Sequence, residues 1–175
     1  IMAAATPGMS GAMLEAMVNQ AALVAANRGA NAVELEDLEE ARDKVWMGPA
    51  LRSRKRTEEE LWLTAYHEGG HTLTGLLTDH ASELHKVTIL ARGQAGGVTF
   101  FLDDDSNMMT RQRILAQIDV AMGGRVAEEM IYGRDRITTG AGEDMQNATE
   151  YARRYGKAFS MGELGLSTYA ESDPE

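Results

Sequence analysis

The segment TEEELWLTAYHEGGHTLTGLL, residues 57 to 77, decides the fold of this chain. Its first residue, Thr57, can cap a helix with its hydroxyl group. The three glutamates that follow lie where the positive end of a helix dipole favours acidic side chains. The pattern therefore predicts one helix that begins after Thr57 and ends at about Leu77, with two histidines in its middle.

These histidines, His67 and His71, are four residues apart in the sequence HEGGH. Residues i and i+4 of a helix lie one above the other, so both imidazoles can reach the same metal ion. Glu68 is rotated by about 100° around the helix axis, which keeps it near the metal without making it a ligand. It can then serve as the general base that takes a proton from water. The pattern predicts the zinc site of a metallopeptidase, with His67 and His71 as ligands.

A chance pair of histidines on a solvent-facing helix is the alternative interpretation. Two glycines between them, Gly69 and Gly70, weigh against it, because each costs about 1 kcal/mol relative to alanine inside a helix. Close packing by a neighbouring segment would justify that cost. Such packing does not by itself require a metal, so the glycines support the zinc interpretation only indirectly.

A zinc ion needs a third protein ligand. The extended pattern HExxHxxGxxH is excluded, because Thr74 and Leu77 occupy its glycine and last histidine positions. His80 falls outside the pattern, and His85 precedes a predicted strand, where we expect a surface histidine. The remaining candidates are three acidic residues, namely Glu128, Glu129 and Asp144.

The local pattern leaves the choice among these acidic residues open. Glu128 and Glu129 lie on a predicted long helix, where ion pairing with Arg125 or another basic residue is the expected role. Asp144 follows a glycine-rich turn at the start of a helix, where an acidic residue also stabilises the helix dipole. Spacing alone does not decide between Glu128 and Asp144.

The composition limits the class of protein. The 175 residues carry a formal charge of −10, which argues against a nucleic-acid-binding surface. No apolar run approaches the roughly 20 residues that span a bilayer, so we expect a soluble chain of one domain or two small ones. Cysteine is absent, so a metal must be held by histidine or carboxylate groups.

The first 50 residues predict a helical hairpin that forms a subdomain of its own. Ser10 is expected to cap the first helix, Gly29 to end it, and a second helix to begin near Glu34. Residues 52–56 form a basic run that we interpret as a solvated linker, so the domains are predicted as 1–50 and 51–175. The predicted inward face consists of Leu14, Met17, Val18, Ala21, Val24 and Ala25 on the first helix and Leu35, Leu38, Ala41 and Val45 on the second.

The rest of the chain predicts a short β-hairpin followed by helices, which makes the fold class mainly α. The two strands are expected at 86–90 and 97–102. The adjacent Gly123 and Gly124 on the long helix would allow another backbone to approach closely. The predicted inward residues are Leu115, Ile118, Met122, Val126 and Met130 on the long helix, and Ala148, Ala152, Tyr155 and Phe159 on a last helix that begins near Glu143.

Several motifs in order resemble the FtsH-like ATP-dependent zinc metalloproteases, particularly the i-AAA type. The resemblance covers nearly the whole chain and is far more specific than HExxH alone. The motifs are TPGMSGAMLEAMVNQAAL at 6–23, KVWMGP at 44–49, TAYHEGGH at 64–71, MGGRVAEEMIYG at 122–133 and TTGAGEDMQNAT at 138–149.

The resemblance implies an architecture and a site. Residues 1–50 would be the C-terminal helical lid of an AAA ATPase module. Residues 51–175 would be a zinc peptidase domain that stops short of the family's usual C-terminal helices. By analogy, the third zinc ligand is Asp144, which joins His67 and His71, and Glu68 is the general base. Glu128 then becomes a candidate for orienting a histidine ring.

The resemblance also implies the function of the whole enzyme. We expect an endopeptidase that degrades unfolded or membrane proteins and, at full length, depends on ATP, forms a homo-hexamer and is anchored in the mitochondrial inner membrane or a plastid membrane. The N-terminal anchor is absent from this chain, and so is the phosphate-binding GxxxxGK[ST] loop, so we expect no ATP hydrolysis here. The alternative is a catalytically inactive assembly or binding fragment that keeps the hexamer interface.

Overall fold

The computed structural model describes residues 2–93, 95–102, 108–163 and 165–166. This part of the chain contains five α-helices and one two-stranded antiparallel hairpin, with short 3-10 turns before the first helix and between the last two. Within it, no helix is both long enough and apolar enough to cross a membrane. In chain order the elements are α1 (Gly11–Asn27), α2 (Leu35–Met47), α3 (Glu58–Leu77), β1 (Glu83–Thr88), β2 (Val98–Leu102), α4 (Arg111–Tyr132) and α5 (Gly142–Arg153).

The first two helices form the predicted helical hairpin. The Ser10 hydroxyl accepts a hydrogen bond from the Met13 amide, which confirms the predicted N-cap of α1. Gly29 has a φ of +75° just after the helix ends, a conformation that glycine adopts without strain. Arg28 then donates two hydrogen bonds of 2.8 Å to the carboxylate of Asp37 in the first turn of α2. This ion pair links the end of α1 to the start of α2.

The predicted inward face of this hairpin was too wide. Met17, Ala21 and Ala41 are buried and form the contact between the helices. The small side chains of Ala21 and Ala41 bring the two backbones close together, so the buried strip is narrow. The residues at the edge of the predicted face are therefore exposed, namely Leu14, Val18 and Leu35.

Helix α3 has the predicted bounds and the predicted N-terminus. The Thr57 hydroxyl accepts a hydrogen bond from the Glu60 amide at 3.2 Å, and the Glu60 carboxylate accepts one from the Thr57 amide at 2.8 Å. This reciprocal arrangement is a capping box, which satisfies two backbone donors that helix formation leaves free. The local sequence is thus sufficient to define where the helix begins.

Helices α3 and α4 contact each other through glycines. A Cβ atom at Gly70 would collide with the carbonyl oxygen of Gly123, and one at Gly123 would lie 2.7 Å from the carbonyl oxygen of Gly70. Only glycine allows two backbones to come so close, which confirms the predicted close approach. A Cβ atom at Gly69, in contrast, would meet no other atom within 4 Å, so packing does not explain this glycine.

The predicted inward face of α4 was wrong. Leu115, Val126 and Met130 are exposed. The buried face combines two branched apolar residues with alanine, two glycines and a carboxylate, because the helices approach closely at the glycines and the buried carboxylate contacts a histidine. Apolar periodicity does not detect such a face. The buried residues of α4 are Ile114, Ala116, Val120, Gly123, Gly124 and Glu128.

The two strands pair in antiparallel register from Glu83 opposite Leu102 to Thr88 opposite Val98. The first strand begins three residues earlier than predicted. Successive side chains of β2 point to opposite faces of the hairpin. Phe100 packs edge-on against Trp46 of α2, with ring centroids 5.0 Å apart. Strand β2 therefore contacts α2 through one face and α3 through the other.

A buried ionic cluster joins α2 to the hairpin. The carboxylate of Asp43, 1% exposed, accepts hydrogen bonds from Arg42 at 2.6 Å and from Lys86 of β1 at 2.8 Å. Burial alone would raise the pKa of Asp43, but Lys86 and Arg42 lower it below its ordinary value. Arg92 extends the cluster with a hydrogen bond of 2.6 Å to Glu40. The contact between α2 and the hairpin, called the joint below, is thus held mainly by charged groups.

The predictions of a surface His85 and of a solvated basic run at residues 52–56 were both wrong. His85 is not a surface histidine, since its Nε2 atom accepts a hydrogen bond of 2.6 Å from Arg42 and its ring packs against Phe100. Burial and the neighbouring Arg42 charge lower its pKa. The basic run is not wholly solvated either, because Arg56 donates to the carbonyl groups of Ile89 and Gly96 and ties α3 to the loop before β2.

The last helix, α5, contributes less apolar surface than predicted. Ala148 is buried, whereas Ala152 and Phe159 are exposed. The regular helix ends at Arg153 and continues as a π-helical turn over Arg154–Ala158. This turn changes the rotation per residue, so Phe159 no longer falls on the face of Ala148. Gly133, with a φ of +77°, follows the last residue of α4 and caps it.

Candidate active site

The two histidines of α3 present their Nε2 atoms to one point. His67 Nδ1 lies 2.8 Å from Glu128 Oε1, and His71 Nδ1 lies 2.7 Å from the carbonyl oxygen of Val120. Both partners are acceptors, so each neutral ring carries its proton on Nδ1. The two Nε2 atoms, 3.1 Å apart, then face each other with lone pairs. Two acceptors that converge in this way are stabilised by a cation between them.

Asp144, at the start of α5, completes a cluster of three acceptors. Its Oδ2 atom lies 3.2 Å from His67 Nε2 and 3.5 Å from His71 Nε2. Zinc–nitrogen distances of about 2.0–2.1 Å in a tetrahedral site correspond to ligand–ligand distances of about 3.3–3.4 Å. The three separations lie close to that value. The donor set and its spacing therefore fit a tetrahedral zinc ion with its fourth position open.

Gly124 of α4 keeps this point accessible. A Cβ atom there would lie 2.5 Å from His71 Nε2 and 2.6 Å from His67 Nε2. Any side chain at this position would push against the two imidazoles at the Nε2 atoms that face each other. The glycine pair of α4 thus has two functions, since Gly123 allows the helices to approach and Gly124 leaves room for the imidazoles.

The electrostatics of the cluster favour positive charge. Burial alone would lower the pKa of both histidines, but hydrogen bonds to Asp144, together with Glu128 at His67 and the Val120 carbonyl at His71, raise it above the ordinary value. Burial alone would raise the pKa of Asp144, yet the two imidazoles hold it well below its ordinary range. The site is therefore built to bind a cation, either protons or a metal ion.

Glu68 lies beside the cluster and is buried. Burial raises the pKa of its carboxyl group, while a hydrogen bond from the Thr99 hydroxyl to Oε2, 2.6 Å long, and the two neighbouring histidines oppose that rise. A carboxylate with a raised pKa is better suited to hold a proton temporarily. This is the property that a general base requires.

Glu128 is fully buried and connects α4, His67 and the loop before α5. Its Oε2 atom accepts hydrogen bonds from the Thr138 amide at 2.8 Å and hydroxyl at 3.1 Å, while Oε1 contacts the imidazole. The expected ion pairing was therefore wrong for Glu128. It is correct for Glu129, which pairs with Arg134 at 2.5 Å. The carboxylate of Glu128 orients a ring instead of balancing a surface charge.

The remaining histidines lie outside the cluster. His80 is exposed and has a φ of +66°, and His85 belongs to the joint between α2 and the hairpin. The cluster itself opens into a cavity of about 900 Å³. Strand β2 and the loop before it form one wall, through Gly96, Gly97, Val98 and Thr99, and α5 forms another, through Asn147 and Tyr151.

Three contributors to this site were not predicted from the sequence. They are the Thr99 hydroxyl, the Val120 carbonyl and the Thr138 amide and hydroxyl. Thr99 and Val120 contact site residues that are 31 and 49 positions away, and Thr138 contacts Glu128 from 10 positions away. A backbone carbonyl has no residue-type signal at all. A single sequence therefore contains no pattern that could have identified them.

Two imidazoles one helical turn apart, a facing carboxylate and an adjacent buried glutamate define the class of HExxH metallopeptidases. The comparison with known families agrees with this class. The chain belongs to peptidase family M41, which matches residues 54–175, and the AAA+ lid domain matches residues 2–40. The predicted fold class, a small helical lid followed by a helical peptidase domain with a short hairpin, is confirmed.

The chain is also similar to curated proteins that are named ATP-dependent zinc metalloproteases. The chain is 48% identical to the ATP-dependent zinc metalloprotease YME1 homolog of Caenorhabditis elegans over its whole length. It is 47% identical to ATP-dependent zinc metalloprotease YME1L1 of Homo sapiens over 98% of the chain, and 47% identical to ATP-dependent zinc metalloprotease FtsH of Bacillus subtilis over 95%. It spans 25%, 22% and 26% of these proteins, respectively, or about a quarter of their length.

Proposed function

We propose that this chain is the catalytic part of a zinc-dependent endopeptidase, with His67, His71 and Asp144 as zinc ligands and Glu68 as the general base. The observation that carries the proposal is the convergence of two Nε2 atoms and one carboxylate oxygen at tetrahedral spacing. Membership of peptidase family M41 supports the reaction class.

The chain's own residues divide the work of peptide hydrolysis. A bound zinc ion would supply Lewis acidity at the scissile carbonyl and lower the pKa of water. Glu68 takes the proton from the attacking water molecule and gives it to the leaving nitrogen atom. Glu128 and the Val120 carbonyl keep the two imidazoles in the tautomer that leaves Nε2 unprotonated.

Unfolded polypeptide is the substrate class that the cavity supports. Among the described strands, β2 pairs only with β1, so its other edge is free of a strand partner, and it lines the cavity. An extended peptide can add to such an edge through main-chain hydrogen bonds, which give affinity with little sequence preference. The acceptors and donors of Gly97–Phe101 would then align a substrate backbone beside the cluster.

The whole protein is proposed to work as an ATP-dependent, membrane-associated homo-hexamer. The support is the AAA+ lid match at residues 2–40, together with relatives named ATP-dependent zinc metalloproteases. The resemblance to i-AAA enzymes favours the mitochondrial inner membrane or a plastid membrane. The separate matches at 2–40 and 54–175 also support a domain division near residue 50.

Zinc content tests the ligand set. Purified protein should bind one zinc ion per chain, and Asp144→Ala should weaken zinc binding by on the order of 100-fold or more, since even partners that only orient a ligand cost about 10- to 100-fold. Glu143→Ala is the matched control, because it removes an exposed carboxylate one residue away. Equal zinc affinity in Asp144→Ala and the parent would exclude Asp144 as a ligand.

Cleavage of casein tests the reaction. The parent with zinc should release peptides, and Glu68→Gln should bind zinc equally well while losing about 100-fold or more of the activity. Activity that survives Glu68→Gln would exclude the general-base role. A parent that binds zinc stoichiometrically but cleaves neither casein nor short peptides would favour the assembly module over the peptidase.

A further inference from the structure

Thr99 of β2 contacts the glutamate next to the histidine cluster. Its hydroxyl oxygen lies 2.6 Å from Glu68 Oε2 and 3.2 Å from the Glu68 carbonyl oxygen. A hydroxyl group has one hydrogen, so it donates to the nearer and more basic carboxylate oxygen. Charge-assisted hydrogen bonds of this length are stronger and more directional than neutral ones. The bond therefore restricts rotation of the Glu68 side chain.

Strand β2 holds this hydroxyl in place through contacts on either side of it. A Cβ atom at Gly97 would lie 2.8 Å from both Cγ and Oε1 of Glu68, so the strand backbone touches the glutamate side chain. Two residues beyond Thr99, the Phe101 ring covers Gly75 of α3, where a Cβ atom would lie 2.6 Å from Phe101 Cζ. Gly97, Thr99 and Phe101 share one face of the strand. These three alternate positions, the first of them just before the strand, thus hold β2 against α3.

We propose that Thr99 is a positioning residue for the Glu68 carboxylate: it holds Oε2 and leaves Oε1 to take the proton from water. This inference rests on the proposed peptidase function. The strand that would align the substrate backbone then also orients the general base. The substrate backbone and the Glu68 carboxylate are then both held by β2. This reduces the reorganisation needed to reach the reactive geometry.

Two substitutions separate the hydroxyl from the shape of the side chain. Thr99→Val keeps the β-branched shape and removes the donor, whereas Thr99→Ser keeps the donor. With stoichiometric zinc, Thr99→Val should lower kcat for a short peptide by about 10- to 100-fold with KM within about twofold, as expected for a misplaced catalytic group. Thr99→Ser should retain most of the parent kcat. Thr88→Val, which removes a hydroxyl from the neighbouring strand, should leave kcat unchanged.

A second measurement needs no zinc and no turnover. In zinc-free protein, the side-chain carboxyl 13C resonance of Glu68, assigned by its loss in Glu68→Gln, should move in Thr99→Val and stay near its parent position in Thr99→Ser. The inference is overturned if Thr99→Val leaves this resonance unmoved, or if Thr99→Val keeps the parent kcat. A parent without zinc binding or cleavage would instead contradict the proposed function, and the carboxyl resonance would still decide whether the hydroxyl holds Glu68.

Discussion

The seam between α3 and α4 and the joint between α2 and the hairpin are built in opposite ways. At the seam, Gly70 and Gly123 remove side chains so that two backbones touch. At the joint, Asp43 and Lys86 hold two elements together through charged groups at the ends of side chains. Backbone contact leaves no room for a side chain between the helices that carry the site. Ion pairs tolerate small adjustments but are costly to break when buried.

Removal of the Asp43 carboxylate, at the centre of the joint between α2 and the hairpin, should have the largest effect on the unfolding free energy. Asp43→Ala leaves Arg42 and Lys86 without their shared partner, and Arg42 is buried. We expect a loss of about 3 kcal/mol of unfolding free energy, at the lower end for a broken buried pair because Lys86 is partly exposed. Urea denaturation measures it. A loss below about 1 kcal/mol would show that the joint contributes little to stability.

The second largest loss of stability is expected from a substitution at the seam between α3 and α4. Gly70→Ala puts a methyl group against the Gly123 carbonyl oxygen and 2.7 Å from the Ala127 Cβ atom, so one backbone has to move. Overpacking of this kind costs about 1–3 kcal/mol. Because the imidazole at His71 is one residue away, zinc affinity should also fall. Denaturation and zinc titration check both effects, and unchanged stability would contradict the close approach of the helices.

Low pH should reduce the contribution of Asp43 to the unfolding free energy. The pKa of Asp43 is lower in the folded state, so its contribution to stability is complete above the unfolded pKa of about 4 and is lost as the pH falls through the folded value. The difference in unfolding free energy between the parent and Asp43→Asn should therefore shrink below about pH 4. Denaturation curves from about pH 6 to about pH 3 test this. A constant difference would exclude the lowered pKa.

Gly69→Ala is the smallest change and the matched control for the seam. This glycine is exposed and has space for a methyl group, so alanine should raise the unfolding free energy by up to about 1 kcal/mol through its helix propensity. A rise in Tm with unchanged zinc affinity is expected. If Gly69→Ala destabilised the protein as much as Gly70→Ala, the contact between α3 and α4 would not explain the loss at Gly70.

The bounds of α3 could be predicted from the sequence because capping is local. Thr57 and Glu60 are three residues apart, and their reciprocal hydrogen bonds need no other part of the chain. The glycine pair at Gly123 and Gly124 predicted a close approach, but the inward face of α4 could not be predicted from apolar periodicity, because that periodicity does not record packing through glycines. The same holds for Thr99, which reaches Glu68 across 31 positions of sequence.

The roles of the acidic residues in the site could not be predicted from local sequence either. Local spacing leaves Glu128 and Asp144 equivalent, and only the resemblance favours Asp144 as a ligand. The structure separates their surroundings: Glu128 contacts an Nδ1 atom, whereas Asp144 faces both Nε2 atoms. Which nitrogen a carboxylate meets depends on how α3, α4 and α5 pack together. That is a tertiary property, and helix periodicity carries no information about it.

Strand β2 makes the joint observable by optical spectroscopy. The indole of Trp46 packs against Phe100, and the preceding residue of the strand, Thr99, contacts Glu68. The other tryptophan, Trp62, is about half exposed on α3 and can be replaced by phenylalanine to leave one emitting group. The emission of Trp46 would then report, in real time and without a label, any movement of α2 relative to the strand that contacts Glu68, the proposed general base.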